Sequence, residues 1–382
     1  MRSVAILSSV HIALDNRVFY REAKTLAEAG YAVNLLAVHE RDEVKDGIHI
    51  RALPRVPRSR RPLLWRALAQ MALETRADVF HIHDPELLLV TPYLRRISGR
   101  PTIYDIHEAN ADFIAVKDYL PGAARRPLAS AFRRLEPQLA RRENGLIFAD
   151  DAIAADFKAI DVPHATLFNY PGRDLIERGG RNKVIEGERP PVILYLGGLE
   201  RNRGAELMLA AFAQVLQVIP EAQLLIVGHF MPPELEDELR QNAAARGIAH
   251  AVHITGRVPF VDIGTYLSRA SVGWVTWQPY PKNQKNIPTK LFEYMAFGLP
   301  VVSSDLPSTR PFVEHGVNGL LAEASDPAAH ASALLRVLGD RPAAVSMGQA
   351  GRHLVETRFN WDRMVPQLLA LYEAVLESAP PE

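Results

Sequence analysis

The stretch 286–306 holds the residues whose types and spacing best suit chemistry. It reads NIPTKLFEYMAFGLPVVSSDL. Pro288 starts a predicted amphipathic helix, Gly298 ends it, and the apolar run that follows predicts a buried strand. Lys290 and Glu293 then share one face near the helix N-terminus, where backbone N–H groups and the helix dipole favour an anion. A cation and a carboxylate placed there suit a ligand with both phosphate and hydroxyl groups, whereas the alternative is an ordinary salt bridge on a surface helix.

A second candidate is the loop within 195–204, which reads YLGGLERNRG. The pattern predicts a strand, a glycine-containing loop and then a helix. Glycine lets a backbone approach a pyrophosphate, and the planar guanidinium groups of Arg201 and Arg203 suit phosphate oxygens. Such turns are common in α/β proteins, so the loop alone does not define a function.

Polar side chains also collect after three predicted strands of the first half. They are His11, Asp15, Asn16 and Arg17; His83 and Asp84; and Asp105, His107 and Glu108. The carboxyl ends of parallel strands meet at one edge of a sheet, so these groups predict a site in the first half. Any one of the histidines taken alone is more often structural.

Alternating strands and helices predict an α/β fold with two doubly wound domains. In the first half, strands are predicted at Val4–Val10, Ala32–Val38, Asp78–His83, Thr102–His107 and Gly145–Phe148. In the second half, they are predicted at Val192–Leu196, Gln223–Val227, His253–Thr255 and Val272–Thr276. The predicted boundaries are 1–170 for the first domain, 171–191 for a linker rich in Gly, Pro and charge, 192–360 for the second domain, and 361–382 for a helix that returns to the first domain.

Composition narrows the function classes. The chain has 382 residues, of which 48% are hydrophobic and 23% charged, which is typical of globular domains. It has no cysteine, which excludes disulfides and thiolate metal sites. The N-terminal apolar run is too short for a signal peptide, and no apolar stretch reaches the ~18 residues of a membrane span, so we expect a cytoplasmic protein. The 44 basic and 44 acidic residues balance, which argues against nucleic-acid binding.

Six arginines and no acidic residue lie between residues 47 and 73. They are Arg51, Arg55, Arg58, Arg60, Arg61 and Arg66, with Leu63, Leu64 and Trp65 among them. Arginine beside apolar side chains suits peripheral contact with an anionic membrane surface through 51–66, on the inner face of the cell membrane. The alternative is a solvated loop that leads into a helix.

The segment PTKLFEYMAFGLPVVSSD, followed by VEHGVNGLL at 313–321, resembles the donor-binding signature of retaining family 4 glycosyltransferases. This resemblance implies the GT-B fold, in which two Rossmann-like domains face a central cleft. It implies that Glu293 binds the ribose of a nucleotide sugar and that Arg203 holds the donor diphosphate. The family often has a second arginine where this chain has Gly198, so Arg201 or Lys290 would take its place.

Two further segments carry the resemblance. HITGRVPFVDIGTYLSRASVGWVTW at 253–277 is similar to the block whose backbone, here near Arg257 and Val258, lies beside the base. PTIYDIHE at 101–108 resembles the strand whose final histidine contacts the transferred sugar, which implies an active-site role for His107.

The chain also departs from the family pattern. The first loop, SSVHIALDNRVF, has no glycine, and the similarity to an Asp-x-Arg subset implies that Asp15 and Arg17 contact acceptor or phosphate. Asp84 and Asp105 are further acceptor-side candidates. Lys285 stands where the family has a first glutamate, so either the pocket accepts an anionic sugar or the position is relaxed.

The resemblance implies a retaining glycosyltransferase that moves a sugar from a UDP- or GDP-sugar to a hydroxyl of a glycan, a lipid-linked glycan or a small acceptor. It implies no cofactor and no metal. Two alternatives stay open. One is a nucleotide-sugar epimerase that uses Asp105, His107 and Glu108 as acid and base, and the other is a non-catalytic, nucleotide-binding partner subunit.

Overall fold

The computed structural model describes residues 1–117, 120–181 and 191–378. The chain divides into two compact units. The first unit comprises Met1–Asn169 and Trp361–Glu382, and the second comprises Tyr170–Asn360.

The first unit is built on an eight-stranded sheet with the order β3-β4-β2-β1-β5-β6-β7-β8. The strands are β1 (Ser3–Ile12), β2 (Ala32–Val38), β3 (Glu43–Lys45), β4 (Ile48–Leu53), β5 (Val79–Ile82), β6 (Thr102–Ile106), β7 (Gly145–Phe148) and β8 (His164–Thr166). All neighbours pair in parallel except β3, which is antiparallel to β4. The central strands read as continuous apolar runs because helices cover both faces of the sheet.

Among the described residues, six α-helices connect these strands. They are α1 (Lys24–Glu28), α2 (Arg61–Glu74), α3 (Thr91–Ser98), α4 (Asn110–Ala115), α5 (Gly122–Ala140) and α6 (Asp151–Asp156). A π-helical stretch, Val18–Ala23, runs directly into α1. The connection after β1 moves towards the β3 edge of the sheet, whereas those after β4, β5 and β6 move towards the β8 edge. Because all of these crossovers are right-handed, α1 covers one face of the sheet, and α2, α3 and α5 cover the other.

The second unit has a six-stranded parallel sheet with the order β13-β11-β9-β14-β15-β16, and β10 and β12 form a separate pair. The strands are β9 (Val192–Leu196), β10 (Leu199–Glu200), β11 (Gln223–Val227), β12 (Phe230–Met231), β13 (Val252–Gly256), β14 (Val272–Val275), β15 (Val301–Ser304) and β16 (Gly319–Ala322). In sequence order this is the 3-2-1-4-5-6 arrangement of dinucleotide-binding folds. Its switch point lies between β9 and β14, where a ligand site is expected.

The described part of the second unit also holds eight α-helices. They are α7 (Arg173–Arg181), α8 (Ala205–Val218), α9 (Glu234–Ala245), α10 (Ile263–Leu267), α11 (Pro281–Lys285), α12 (Lys290–Ala296), α13 (Pro327–Gly339) and α14 (Arg341–Thr357).

The last described helix, α15 (Val365–Glu377), belongs to the first unit. The indole Nε1 of the buried Trp361 donates to Thr25 Oγ1 over 2.8 Å. Val375 packs against Gly145 so closely that a Cβ at residue 145 would lie 2.7 Å from the valine Cγ2. The chain therefore returns to the first unit after completing the second.

The doubly wound α/β class predicted from the alternation of strands and helices is confirmed. Some local features differ from the sequence expectations. The predicted linker contains α7, while its residues 182–190, like residues 379–382 of the predicted final helix, lie outside the described residues. The arginine-rich stretch begins inside β4, and the helix predicted as amphipathic, α12, is buried at every position. That helix packs in the interior on all sides, so no polar face is needed.

Candidate functional site

The helix α12 is tied to the switch point of the second sheet by Tyr294. Its hydroxyl accepts from the Leu196 N–H over 2.9 Å and donates to the Trp274 carbonyl over 3.2 Å. Gly273 leaves room for the ring, since a Cβ there would lie 2.2 Å from the tyrosine Cγ. The first turn of α12 is therefore held rigidly beside the ends of β9 and β14.

This anchoring buries Lys290 next to the loop that follows β9. Its Nζ lies 3.6 Å from the centre of the Tyr195 ring, and a Cβ on Gly197 would lie 3.7 Å from it. Among the residues that the structure describes, no group hydrogen-bonds this Nζ. Burial, followed by the positive charge of Arg203, holds the pKa of the Lys290 ammonium well below its ordinary value. A buried cation without a hydrogen-bond partner favours an incoming anion.

The loop between β9 and α8 supplies further donors. Arg203 donates from Nη1 to the Gly198 carbonyl over 2.8 Å, and its Nη2 lies 3.1 Å from Glu200 Oε1. Gly204 has a φ of +82°, and a Cβ there would lie 2.1 Å from the Thr276 carbonyl oxygen, so only glycine fits. The 14-residue helix α8 begins at the next residue and directs its free N–H groups to the end of this loop.

His229 lies over the same loop, because a Cβ on Gly198 would be 3.0 Å from the histidine Cε1. Burial, then the charges of Arg257 and Arg203, lower the pKa of His229. Two predicted donor-binding arginines therefore act on one histidine beside Gly198. Arg257 is exposed and Val258 half-buried.

Three more predicted site residues of the second unit, Glu293, Arg201 and Lys285, lie in different surroundings from one another. Glu293 is 9% exposed, and its charge acts on Lys290, as do those of Arg203 and Glu200. Arg201 instead pairs with Glu238 over 2.6 Å, with both side chains 48% exposed. Lys285 is half-buried at the end of α11.

In the first unit, Arg17 and Asp105 form a buried bidentate ion pair. Nε lies 2.9 Å from Oδ2, and Nη2 lies 2.9 Å from Oδ1. The same Nε is 2.9 Å from Glu22 Oε1. Burial alone would raise the pKa of Asp105, but the Arg17 guanidinium holds it well below its ordinary value. Burial and the Asp105 charge raise the pKa of Glu22 well above its ordinary value, so one cation is matched by one carboxylate and a neutral acid.

His107 stands at the edge of this buried group, with 14% of its side chain exposed. Its Nε2 lies 2.7 Å from His83 Nδ1 and 3.1 Å from Asp105 Oδ2. His83 is fully buried, and its Nε2 lies 3.5 Å from Glu22 Oε2. The exposed edge of the His107 ring is therefore backed by a connected set of polar side chains.

Asp15 and Asp84 shape the loop after β1. Asp84 Oδ2 accepts from the Ser9 N–H over 2.6 Å and from Ser8 Oγ over 2.9 Å. Asp15 Oδ1 accepts from the backbone N–H of residues 17 and 18 over 2.8 and 3.1 Å, which starts the π-helical stretch. Side-chain carboxylates thus shape a loop that has no glycine.

Each unit matches the model of a known protein family. Residues 16–169 match the family model described as "Glycosyl transferase 4-like domain", and residues 190–340 match the one described as "Glycosyl transferases group 1". The chain belongs to the group 1 glycosyltransferases.

Full-length similarity agrees with this assignment. The chain is 28% identical to D-inositol 3-phosphate glycosyltransferase 1 of Catenulispora acidiphila over 88% of its own length and 83% of that protein. It is 27% identical to phosphatidyl-myo-inositol mannosyltransferase of Mycolicibacterium smegmatis over 92% and 88%. The solved structure of sucrose-phosphate synthase from Thermosynechococcus elongatus covers 99% of this chain and 100% of its own, with a TM-score of 0.78 and 20% identity. The predicted GT-B fold is thereby confirmed.

In this glycosyltransferase the acceptor-side candidates Arg17, Asp84 and Asp105 are buried and already hydrogen-bonded. Their positions favour support of His107 and of the first loop over direct contact with an acceptor. Sequence reasoning missed Glu22, which completes the ion-pair group. No α-helical pattern marks it, because it lies five positions after Arg17, in a π-helical stretch.

Four side chains of the glycosyltransferase's first unit also have the spacing of a metal site. Ligand atoms of Glu22, His81, His83 and Asp105 all lie within 4.8 Å of one another. However, the Nε of Arg17 is 2.9 Å from an oxygen of each carboxylate, so a guanidinium already supplies the positive charge. We assign no metal to these residues.

Within residues 1–117, 120–181 and 191–378, no helix is both long and apolar enough to cross a bilayer.

Proposed function

We propose that this glycosyltransferase transfers a sugar, with retention, from a UDP- or GDP-sugar to a hydroxyl group. The observation that carries the proposal is the buried Lys290 Nζ, which has no hydrogen-bond partner among the described residues and lies beside the Gly197 loop. Arg203 and the N-terminus of α8 lie on the same loop. A diphosphate would supply the negative charge that this group of donors is built to receive.

These donors act on the leaving group. As the bond between the sugar and the diphosphate breaks, negative charge grows on the diphosphate oxygens. Lys290, Arg203 and the helix N–H groups are fixed before the reaction, so they stabilise that charge without reorganising, and the proposed mechanism needs no metal. Glu293 accepts hydrogen bonds from the ribose hydroxyls, and His107 contacts the transferred sugar.

The acceptor is proposed to be lipid-linked, because the first unit presents a basic face on α2, α3 and α5. Apart from Arg133, which pairs with Asp112, its exposed arginines are Arg58 and Arg60 in the turn before α2, and Arg66, Arg96, Arg126 and Arg134 on the helices. Its exposed apolar side chains are Leu63, Tyr93, Ile97, Leu128 and Leu135 on the helices, and Leu89 just before α3. Carboxylates in these three described helices are limited to Glu74, which pairs with Arg51, and the buried Glu136. Arginine with exposed apolar groups suits an anionic membrane surface.

The basic face differs from the stretch 51–66 predicted from sequence. Arg51 donates to the Met71 carbonyl and pairs with Glu74 over 2.8 Å, and Arg61 lies 3.8 Å from Glu86. These two arginines therefore stabilise the first unit. The proposed membrane contact is formed by Arg58, Arg60, Arg66, Arg96, Arg126 and Arg134.

A thermal-shift panel of UDP, GDP, ADP, CMP and dTDP tests the donor site. We expect one nucleotide to raise the unfolding midpoint equally with and without magnesium, because a ligand of the folded state stabilises it by mass action. Glu293→Ala should abolish that shift, and Glu373→Ala, a change on the exposed surface of α15, should retain it. If no nucleotide shifts the midpoint, the donor-site proposal fails. Turnover of a nucleotide sugar without any acceptor would instead indicate an epimerase.

Vesicle sedimentation tests the membrane contact. Replacing Arg58, Arg60 and Arg66 together by Ser should weaken binding to phosphatidylglycerol vesicles and leave weak binding to phosphatidylcholine unchanged. The matched control replaces three exposed arginines of the second unit, Arg240, Arg246 and Arg269, by Ser. Equal loss in both triple variants would show a general charge effect and remove the basic face from the proposal.

A further inference from the structure

We propose that His83 is a positioning residue for His107. With Asp105, it accepts the Nε2–H of His107, which leaves Nδ1 of His107 as the hydrogen-bond acceptor for a hydroxyl of the transferred sugar. This inference deepens the proposed function and rests on it, because that function assigns His107 to the sugar.

His107 Nε2 and His83 Nδ1 are 2.7 Å apart, which leaves room for one hydrogen between them. If His83 carried it, the lone pair of His107 Nε2 would face the ionised Asp105 carboxylate, whose Oδ2 is 3.1 Å away. Two electron-rich atoms would then oppose each other in a buried site. If His107 carries the hydrogen on Nε2, both neighbouring atoms accept it, and the lone pair of His83 Nδ1 lies farther from Asp105 Oδ2, at 3.5 Å. The second arrangement is the favourable one.

The remaining hydrogen of His83 lies near the Glu22 carboxyl, although His83 Nε2 makes no hydrogen bond among the described residues. Burial lowers the pKa of His83 well below its ordinary value, so the ring is neutral and, with Nδ1 accepting, its hydrogen lies on Nε2. That atom lies 3.5 Å from Glu22 Oε2, and the other Glu22 oxygen is 2.9 Å from Arg17 Nε. Glu22 thus lies between Arg17 and His83, and Arg17 also binds Asp105.

This arrangement has a consequence at the exposed edge of the ring. The two imidazole nitrogens point to opposite sides, so Nδ1 of His107 faces away from His83 and Asp105 with its lone pair unused. A sugar gains positive charge as its bond to the leaving group breaks. With its hydrogen on Nε2, His107 can accept a hydrogen bond from a hydroxyl of that sugar through the Nδ1 lone pair.

Two substitutions of similar size separate positioning from simple packing. In His83→Asn the amide oxygen takes the place of Nδ1 and still accepts from His107. In His83→Gln the amide takes the place of Nε2 and faces Glu22. Proton–nitrogen correlation spectra of histidine-labelled full-length protein, with His107 assigned by loss of its signals in His107→Gln, report which nitrogen carries the hydrogen.

We expect the Nε2–H form of His107 in the wild type and in His83→Asn, and a mixture of both forms in His83→Gln. In the transfer assay, His83→Gln should lower kcat by about tenfold while the donor KM and the nucleotide thermal shift stay unchanged, and His83→Asn should keep most of the wild-type kcat. An Nδ1–H form in the wild type, or equal kcat values for the two variants, would overturn the inference. If the spectra are as expected but the protein transfers no sugar, the positioning of His107 by His83 stands and the proposed function is wrong.

Discussion

The two units bury charge in opposite ways. In the second unit, Lys290 lies in the interior with its Nζ lacking a hydrogen-bond partner among the described residues. In the first unit, Arg17 binds Asp105 through two nitrogens and donates to the Leu167 carbonyl over 2.7 Å. The buried Lys290 is suited to an external anion, whereas the ion-paired Arg17 is suited to holding other side chains in place. Burial of a charged residue therefore indicates ligand binding only where its partners are missing.

Breaking the Arg17–Asp105 ion pair should lower stability more than any other change considered below. Arg17→Met should lower the free energy of unfolding by about 3–5 kcal/mol, because Asp105 is left as an uncompensated buried charge. Urea unfolding at neutral pH measures this change. The double variant Arg17→Met with Asp105→Asn should regain part of the loss, since it removes the orphaned charge. A single variant as stable as the wild type would contradict the assignment of a structural ion pair.

Removing the charge of Lys290 should affect activity more than stability. Lys290→Met keeps the length of the side chain and removes its charge, so transfer should fall by about 10²–10³-fold, as when one fixed donor to a developing charge is lost. The urea midpoint should stay the same or rise, because a poorly solvated amine has been replaced by an apolar group. Steady-state kinetics and urea unfolding of the same sample check both parts. A strong loss of stability would show that Lys290 is structural, like Arg17.

A third buried group sharpens the comparison within the first unit. Burial raises the pKa of Glu136 to about 7, although Tyr104 and Asn110 both donate to its Oε1 over 2.7 Å. Its unfolded pKa is lower, so the stability that it contributes is complete at acid pH and is lost as the pH rises through about 7. Glu136→Gln keeps both hydrogen bonds and should gain about 2–3 kcal/mol relative to wild type between pH 4.5 and pH 8. Urea unfolding of both proteins at the two pH values tests this. If the stability of wild type and of Glu136→Gln changes equally with pH, the pKa of Glu136 is not raised.

The smallest expected effect concerns the protonation of Lys290. Because its pKa is lowered in the free protein, binding of a nucleoside diphosphate takes up a proton, so affinity should fall by up to about tenfold per pH unit above that pKa. Titration calorimetry in buffers of different ionisation enthalpy measures the proton uptake. Lys290→Arg keeps a charge that does not titrate, so any binding that it retains should not change with pH in this range. Proton uptake equal to that of the wild type in this variant would assign the effect to another group.

The sequence predicts the parallel strands best. Ala32–Val38, Val192–Leu196 and Gln223–Val227 have the predicted bounds, because strands covered on both faces read as uninterrupted apolar runs. The strand β4 was missed because its arginine suggested a loop, although Ile48 and Ile50 alternate inward.

The candidate site was harder to predict than the fold. Lys290, Arg203, Glu293 and His107 were named from local patterns, since each lies next to a strand end or helix start. The contacts that define their state are distant in sequence: Arg17 and Asp105 are separated by 88 positions. A single sequence does not encode that pairing in any local spacing. Glu22 is only five positions from Arg17, but a π-helical stretch brings them together, and α-helical spacings do not indicate it.

The return of α15 to the first unit makes the second unit an insertion in the middle of the first. During synthesis, residues 170–360 emerge and can fold as an unbroken segment, while the first unit waits for Trp361 to reach Thr25 and for Val375 to cover Gly145. The first unit is thus completed only after the second has been synthesised, so a chain truncated after residue 360 would hold a finished second unit attached to an open first one.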